Sequence, residues 1–276
     1  MKSPLNRRSF LVAGPLGLAG AGLASSSLAA WAGDASSAAR FRVRAAGASF
    51  PHQDPELVQG VVGASHSNID RVRELVGAYP ELAKASWDWG FGDWESALGA
   101  ASHTGRVEIA EFLLAHGARA NLFTAAMLGQ LAVVKATIEA SPGVQRTPGP
   151  HGITLLAHAG AGRERASAVY EYLSELGDAD PRPVSAPMSD DEKADLVGSY
   201  RYGSGDDESL EVTNRDGVLF LARSGQAARG LTHLGGREFH PAGAPSVRVT
   251  FAGASRPGRV GIAMGGTVVE GRREGS

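Results

Sequence analysis

Cysteine is absent from the 276 residues of this sequence. Its absence excludes disulfides, thiolate ligands for metals, a cysteine nucleophile and the anchor cysteine of a lipoprotein. A strong charge of either sign is also lacking, because 27 Lys and Arg oppose 29 Asp and Glu. Nucleic-acid-binding proteins normally carry a basic face, so this balance argues against a nucleic-acid partner.

Sequence motifs of several enzyme classes are missing as well. The chain contains no Ser-x-x-Lys, no Gly-x-Ser-x-Gly and no His-Glu-x-x-His, patterns that carry the nucleophiles and zinc ligands of common hydrolases. The glycine-rich segment Gly160-Ala161-Gly162-Arg163 lacks the Lys-Ser/Thr pair of a phosphate-binding loop. We therefore expect a protein that is not an enzyme, without catalytic residues, bound metal or cofactor; a secreted hydrolase is the alternative.

The first 32 residues have the pattern of an export signal, with three basic residues and no acidic one. Arg7 and Arg8 precede Phe10, Leu11 and an apolar run rich in glycine and alanine, and small residues suited to cleavage follow at positions 30 and 32. This order resembles the twin-arginine export motif, although two positions of that motif differ. An ordinary secretory signal is the alternative.

We predict a twin-arginine signal peptide over residues 1–32 and a flexible leader over residues 33–54. The resemblance implies a periplasmic or secreted location, with membrane contact only during export. No later segment of the sequence has the roughly 20 apolar residues that a membrane-spanning helix needs.

Residues 55–182 contain a sequence that recurs. The clearest copy, residues 95–121, has a short alanine-rich helix, a turn at Gly105, a second helix with paired apolar residues, and Gly117-Ala118. Three weaker copies begin near residues 63, 125 and 154. The pattern resembles the ankyrin repeat, which implies about four irregular two-helix units stacked into a solenoid with a protein-docking surface.

Past residue 182 the pattern changes. Pro183 and Pro187 mark a linker over residues 183–189. Short apolar-polar alternations then follow at spacings of roughly ten residues, separated by glycine turns, and predict an antiparallel meander that curls into a small barrel over residues 190–276. The strand candidates are Gly198–Tyr202, Ser209–Thr213, Val218–Ala222, Gly230–Leu234, Glu238–His240, Val247–Phe251, Arg259–Met264 and Thr267–Arg272.

Phrases such as Leu196–Tyr200, Asp216–Phe220 and Val249–Phe251 give this segment a family resemblance. It is similar to the small β domain of unknown function appended to secreted serine-β-lactamase-like hydrolases. The resemblance implies no catalytic residues. The predicted fold class is therefore α+β and multidomain: an α-helical ankyrin-type solenoid followed by a small antiparallel β meander or barrel.

Two of the eight histidines, His66 and His103, occupy similar places in neighbouring copies of the repeat. Adjacent helices lie about 8–10 Å apart, so two such histidines could share a zinc ion only if their side chains leaned together. We expect capping or solvent-facing roles instead. We place His233 and His240 at strand ends.

Three of the four tryptophans lie within eight residues of one another. This aromatic cluster comprises Trp87, Trp89, Phe91 and Trp94, and acidic residues interleave its rings. Aromatic side chains are enriched at protein interfaces, which makes these four the candidate partner-binding residues. The alternative is that they cover a seam within the fold.

These observations predict an exported ankyrin-repeat protein that acts as a protein–protein interaction module in the bacterial envelope, with an envelope or secreted protein as its partner. The alternative is a hydrolase-associated protein, or one that binds a ligand or carbohydrate through its C-terminal β domain.

Overall fold

The computed structural model describes residue 49, residues 51–253 and residues 256–275. The predicted export signal, with Arg7, Arg8, Phe10 and Leu11, lies outside the described residues, as does most of the predicted leader.

Nine short α-helices are present in the part of the chain that the structure describes. They are α1 Pro55–Ala64, α2 Ile69–Ala78, α3 Ala97–His103, α4 Val107–Ala115, α5 Leu122–Met127, α6 Leu131–Ala140, α7 Leu155–Ala161, α8 Ser167–Leu176 and α9 Asp190–Leu196. None of them is both long and apolar enough to cross a lipid bilayer.

The residues that begin these helices explain where they begin. Asp54, Asn68, Ser96, Asn121 and Thr154 each accept a hydrogen bond from a backbone N–H two or three residues further on. Such N-caps satisfy donors that the first turn of a helix leaves without a partner. One of these caps, Ser96, starts α3, which ends at His103 of the candidate site described below.

The prediction of an ankyrin-type solenoid is wrong. The helices of the described residues are only 6–10 residues long, and no extended array is present among them. Between them lie a β hairpin and 3-10 segments at Pro80–Lys84, Val144–Arg146, Pro150–Gly152 and Arg163–Ala166. Buried apolar side chains form two separate clusters, one mainly of α1–α4 and one of α5–α8. The hairpin and the 3-10 segments interrupt the pairs of helices, so the buried apolar side chains do not form one continuous stacking face.

One of the interruptions is a small antiparallel hairpin of β1, Ser86–Asp88, and β2, Trp94–Ser96. Its tip turns through Gly90, Phe91 and Gly92, all of which have positive φ. Trp87 pairs with Glu95 in the register of the two strands. The hairpin therefore presents Asp93, Trp94 and Glu95 immediately after a tight turn.

The C-terminal part is a closed barrel of eight antiparallel strands, which confirms the predicted barrel. The strands are β3 Gly198–Arg201, β4 Ser209–Arg215, β5 Val218–Arg223, β6 Arg229–Gly235, β7 Glu238–Pro241, β8 Arg248–Ala252, β9 Arg259–Met264 and β10 Thr267–Arg273. Each strand pairs with the next, and β10 closes the barrel on β3. Closure removes the open edges that would otherwise invite pairing with another chain.

Alternation along the strands fills the barrel with apolar side chains. Leu210 and Val212 of β4 and Leu219 and Leu221 of β5 point inward and are buried, whereas the residues between them are more exposed. Tyr200 is the largest buried side chain of this core. Its hydroxyl donates to the Leu196 carbonyl (2.8 Å) and accepts a hydrogen bond from Arg273 Nη2 (2.6 Å), at the seam between β3 and β10.

Candidate metal centre

Four side chains of the helical part converge on one point, and we call them the His3Glu cluster: His66, Glu95, His103 and His151. His66 follows α1, Glu95 lies in β2, His103 is the last residue of α3, and His151 lies in the 3-10 segment Pro150–Gly152. Each offers one ligand atom, and these four atoms all lie within 4.8 Å of one another. Residues distant in sequence therefore meet as a compact set of nitrogen and oxygen donors.

Glu95 is the centre of the cluster and is fully buried. Its Oε1 lies 2.8 Å from His103 Nε2, and its Oε2 lies 3.3 Å from His66 Nε2 and 3.4 Å from His151 Nε2. The indole Nε1 of Trp89 donates to Oε2 at 2.7 Å. A buried carboxylate is costly unless it is paired, and this one has four donors around it.

The hydrogen bonds on the far side of two imidazoles orient them. His66 Nδ1 donates to the Gly63 carbonyl (3.1 Å), and His151 Nδ1 donates to Asp93 Oδ2 (2.7 Å). With the proton fixed on Nδ1, the Nε2 atom of each ring faces Glu95. This arrangement, in which the outer nitrogen bonds a carbonyl or carboxylate, is the one that metal-binding histidines adopt.

The charges of the cluster shift the pKa values of its members. Burial raises the pKa of Glu95, but hydrogen bonds from His103, His151 and His66 outweigh it and hold that pKa well below its usual range. Burial lowers the pKa of His151, yet its bonds to Asp93 and Glu95 raise the net value to about 9. Its hydrogen bond to Glu95 raises the pKa of His66. The carboxylates are therefore ionised in the fold.

His151 itself sits in a strained conformation. Its φ of 60° is in the left-handed region, which is uncommon for a residue with a side chain. Its backbone N–H donates to Asp93 Oδ1 (2.8 Å) while its ring donates to Oδ2 of the same carboxylate. One buried aspartate therefore fixes both the main chain and the ring, and strain of this kind concentrates at functional sites.

A second histidine contact lies deeper in the helical part and is not accessible. Ser102 Oγ lies 2.7 Å from His158 Nδ1, and both residues are fully buried. Burial, together with the nearby His103, lowers the pKa of His158 to about 3, so this ring is neutral. A serine beside a histidine is the arrangement of a nucleophile and its base. Full burial keeps substrate away from this pair.

The four rings of the predicted aromatic cluster lie in different surroundings. Trp87 and Trp89 are half-buried and pack against the core of α1–α4, and Phe91 packs against the barrel core. Trp94 alone among the four projects strongly, with 63% of its surface exposed. Only Trp89 joins the His3Glu cluster, as a hydrogen-bond donor.

His240 lies next to the end of its strand, close to the predicted place, whereas His233 lies two residues before the end of its strand. His233 lies in β6, and its ring nitrogens contact the carbonyls of Ala186 and Gly236, both at 3.0 Å. His240 lies in β7, with Nδ1 3.0 Å from the Pro241 carbonyl. A cavity of about 370 Å³ is lined by His240 and also by His151, but by no other member of the His3Glu cluster.

Sequence reasoning singled out His66 and His103 but favoured capping roles for them. The structure brings their rings to a centroid distance of 5.0 Å, with Glu95 between them. Their similar places in two copies of the repeat were the available signal. Glu95 and His151 were missed, because neither stands at a recognisable spacing from another ligand.

Fold and site together define a chain with a cluster of three partly exposed histidines around a buried glutamate in its helical part and a closed eight-stranded barrel after it. Comparison with known protein families and with curated proteins finds no match to this chain. The functional argument therefore rests on the geometry of the cluster.

Proposed function

We propose that this protein binds one divalent transition-metal ion of the zinc class through the His3Glu cluster, and that the ion has a structural rather than a catalytic role. The convergence of three imidazole Nε2 atoms on one buried carboxylate carries the proposal.

The distances support a small tetrahedral ion. Bonds of about 2.0–2.1 Å to zinc give ligand-to-ligand edges of about 3.3 Å in a tetrahedron. The Glu95 oxygens lie 2.8, 3.3 and 3.4 Å from the three Nε2 atoms, close to that edge. All four ligand atoms lie within 4.8 Å of one another, so the widest separation would have to shorten toward that edge when the ion binds.

The donor set selects among metals. Imidazole suits zinc, copper, nickel and iron, whereas magnesium and calcium take oxygen ligands. Three nitrogens to one oxygen therefore favour a transition metal. No thiolate competes for it, since the sequence has no cysteine.

Charge separates this proposal from a simple ion-pair cluster. One carboxylate needs one compensating charge, and three protonated imidazoles with ring centroids 5.0–6.4 Å apart would repel one another. A divalent ion instead replaces the Nε2 protons and places its charge at the centre of the cluster. Metal binding that displaces protons in this way is general for histidine ligands.

Coordination by four protein side chains favours a structural role. Structural zinc sites are closed by four protein ligands, while catalytic sites keep one position for water or substrate. The ion would join the end of α1, the hairpin, the end of α3 and the segment Pro150–Gly152. It would therefore hold together segments of a helical part whose own helices are short.

Metal content and affinity of the full chain test this proposal. After dialysis against chelator, isothermal titration with zinc should show about one site per chain, and cobalt should give the intense visible absorption of a tetrahedral ion. Glu95→Gln and His103→Ala should each weaken zinc binding strongly. His116→Ala is the matched control, because His116 is exposed and lies outside the cluster. Wild-type protein that takes up no zinc, or variants that bind it as tightly as wild type, would refute the proposal.

A second proposal concerns the partner. The exposed ring of Trp94 favours contact with another protein at the tip of the hairpin. The partner, and the exported location in which they would meet, stay predictions from the sequence.

A further inference from the structure

We infer that the barrel belongs to the metal centre: Arg229 of β6, through Asp93, positions His151, so that zinc affinity depends on how the barrel docks on the helical part. Arg229 and Asp93 are positioning residues, not ligands. The inference rests on the proposed metal site and names what controls its affinity.

The contacts run in one line from the barrel to the cluster. Arg229 is the first residue of β6, and its Nη1 forms an ion pair with Asp93 Oδ2. The same Nη1 lies 2.8 Å from His151 Nδ1, and both nitrogens donate to the shared acceptor Asp93 Oδ2. Asp93 in turn accepts hydrogen bonds from the His151 ring and backbone, and His151 Nε2 faces Glu95. The pair Arg229–Asp93 spans 136 residues of sequence.

Burial makes this pair interdependent. The Asp93 side chain is 3% exposed and the Arg229 side chain 9% exposed. Nε and Nη2 of Arg229 are buried without a hydrogen-bond partner among the described residues, so Asp93 supplies the compensation for this charge. Removing one partner of a buried pair leaves an uncompensated charge, which is strongly destabilising. Each residue therefore holds the other in place.

The barrel also leaves space for Asp93. Gly243, in the connection from β7 to β8, has a φ of +79°, and a Cβ there would lie 2.8 Å from the Asp93 carboxyl carbon. The same glycine faces the segment of His151, since a Cβ on Gly152 would lie 3.3 Å from Gly243 N. A side chain at position 243 would displace the carboxylate. Both the charge and the shape of the barrel are therefore fitted to the aspartate that orients His151.

His151 depends on that aspartate. Its left-handed backbone is held by the N–H bond to Asp93 Oδ1, and its ring by the bond to Oδ2. Partners that orient a metal-binding histidine typically contribute 10–100-fold to metal affinity. Coupling is reciprocal, so zinc that binds more tightly to the docked barrel must also strengthen the docking.

Zinc affinity of the full chain tests the inference, measured by competition with a chelator for wild type, Asp93→Asn, Arg229→Met and Arg229→Lys. We expect about 10–100-fold weaker binding for Asp93→Asn and at least about 10-fold for Arg229→Met, with partial recovery in Arg229→Lys. Arg223→Met is the matched control, because Arg223 is the last residue of the adjacent strand β5 and its ion pair with Asp207 is exposed. Its zinc affinity should equal that of wild type.

A cobalt spectrum separates positioning from general loss of structure. The visible bands of the cobalt-loaded Asp93→Asn variant should shift as His151 turns away, while circular dichroism stays that of a folded chain. If a single variant does not fold, the double variant Asp93→Asn with Arg229→Met removes both buried charges together and should still bind zinc at least about 10-fold more weakly.

The possible outcomes distinguish failure of the proposed metal site from failure of the inferred role of the barrel. A wild-type chain that binds no zinc refutes the proposed function itself. A wild-type chain that binds zinc, with folded Arg229→Met or double variants of the same affinity, overturns the inference and leaves the metal site standing. A loss of affinity in Arg223→Met equal to that in Arg229→Met would also overturn it.

Discussion

The helical part and the barrel treat buried polar groups in different ways. The apolar core cluster of the barrel contains one polar side chain, Tyr200, whose hydroxyl is paired. The barrel strands also bury two arginines and two histidines, Arg229, His233, His240 and Arg273, but no carboxylate. The helical part buries two carboxylates, Asp93 and Glu95, together with Ser102 and His158. Burial of charge costs stability unless it is compensated. Both buried carboxylates of the described residues lie in the helical part, a cost that a functional site explains.

The largest expected effect is a loss of stability from a change in the barrel core. Phe239 is 1% exposed, with ring centroids 5.7 Å from Phe251 and 4.9 Å from His233. Phe239→Ala should lower the free energy of unfolding by about 3–5 kcal/mol, through lost burial and the cavity left behind. Urea unfolding measures it, and the loss should be the same with and without zinc. The exposed Val268→Ala should change stability by less than about 0.5 kcal/mol. A Phe239 loss that depended on zinc would show that the barrel core, and not only Arg229, affects the metal centre.

The barrel was also the region that the sequence predicted well. Each of the eight strand candidates overlaps one observed strand, because a period of two with glycine turns specifies antiparallel strands locally. The helical part was predicted less well. Pairs of helices were recognisable, but short alanine-rich helices carry little information on how far their stacking extends, and the extended solenoid inferred from them was wrong.

Prediction of the site failed for a related reason. Glu95 stands in the sequence as one of several acids among aromatic rings, and its burial depends on a hairpin turn of positive-φ residues. His151 is brought in by Asp93, 58 residues away, and Asp93 is in turn held by Arg229 from the barrel. Contacts of such long range follow from the assembled fold and have no local pattern.

The next largest expected effect is the stabilisation of the helical part by zinc. Zinc at about 100 times its dissociation constant should raise the free energy of unfolding by about 2.7 kcal/mol. Hydrogen exchange should show where: protection should rise in the β1–β2 hairpin and in Pro150–Gly152 more than in strands β8 and β9 of the barrel. Magnesium, which prefers oxygen ligands, is the control ion and should have no effect. Protection that rose first in the barrel strands would contradict the location of the centre.

A smaller effect is expected in the barrel, where the free energy of unfolding should fall at high pH. Burial raises the pKa of Tyr200, against the opposing charge of Arg273. The unfolded tyrosine ionises near pH 10, whereas the folded one stays neutral to higher pH, so stability is complete below about pH 10 and falls as pH rises further, by at most about 1.4 kcal/mol per pH unit. Tyr200→Phe should cost about 1 kcal/mol at neutral pH, since it loses the bonds to Leu196 and Arg273. Above pH 10 its stability should fall less steeply than that of wild type, as urea unfolding across pH would show. Equal slopes would mean that Tyr200 ionises as readily in the fold as outside it.

The smallest expected effects are those of changing Trp94 and Trp89, which should differ in their consequences for stability and zinc affinity. Trp94 is 63% exposed, so Trp94→Ser should change the free energy of unfolding by less than about 0.5 kcal/mol and leave zinc affinity unchanged. Trp89 donates to Glu95 Oε2, so Trp89→Phe should lower zinc affinity while the ring still packs against the core of α1–α4. Titration with zinc and urea unfolding of both variants measure this contrast. Because Trp94 contributes so little to the fold, any loss of a protein partner in Trp94→Ser would be a direct effect on recognition. A large stability loss in Trp94→Ser would instead make this ring structural and remove the argument for a partner at the hairpin.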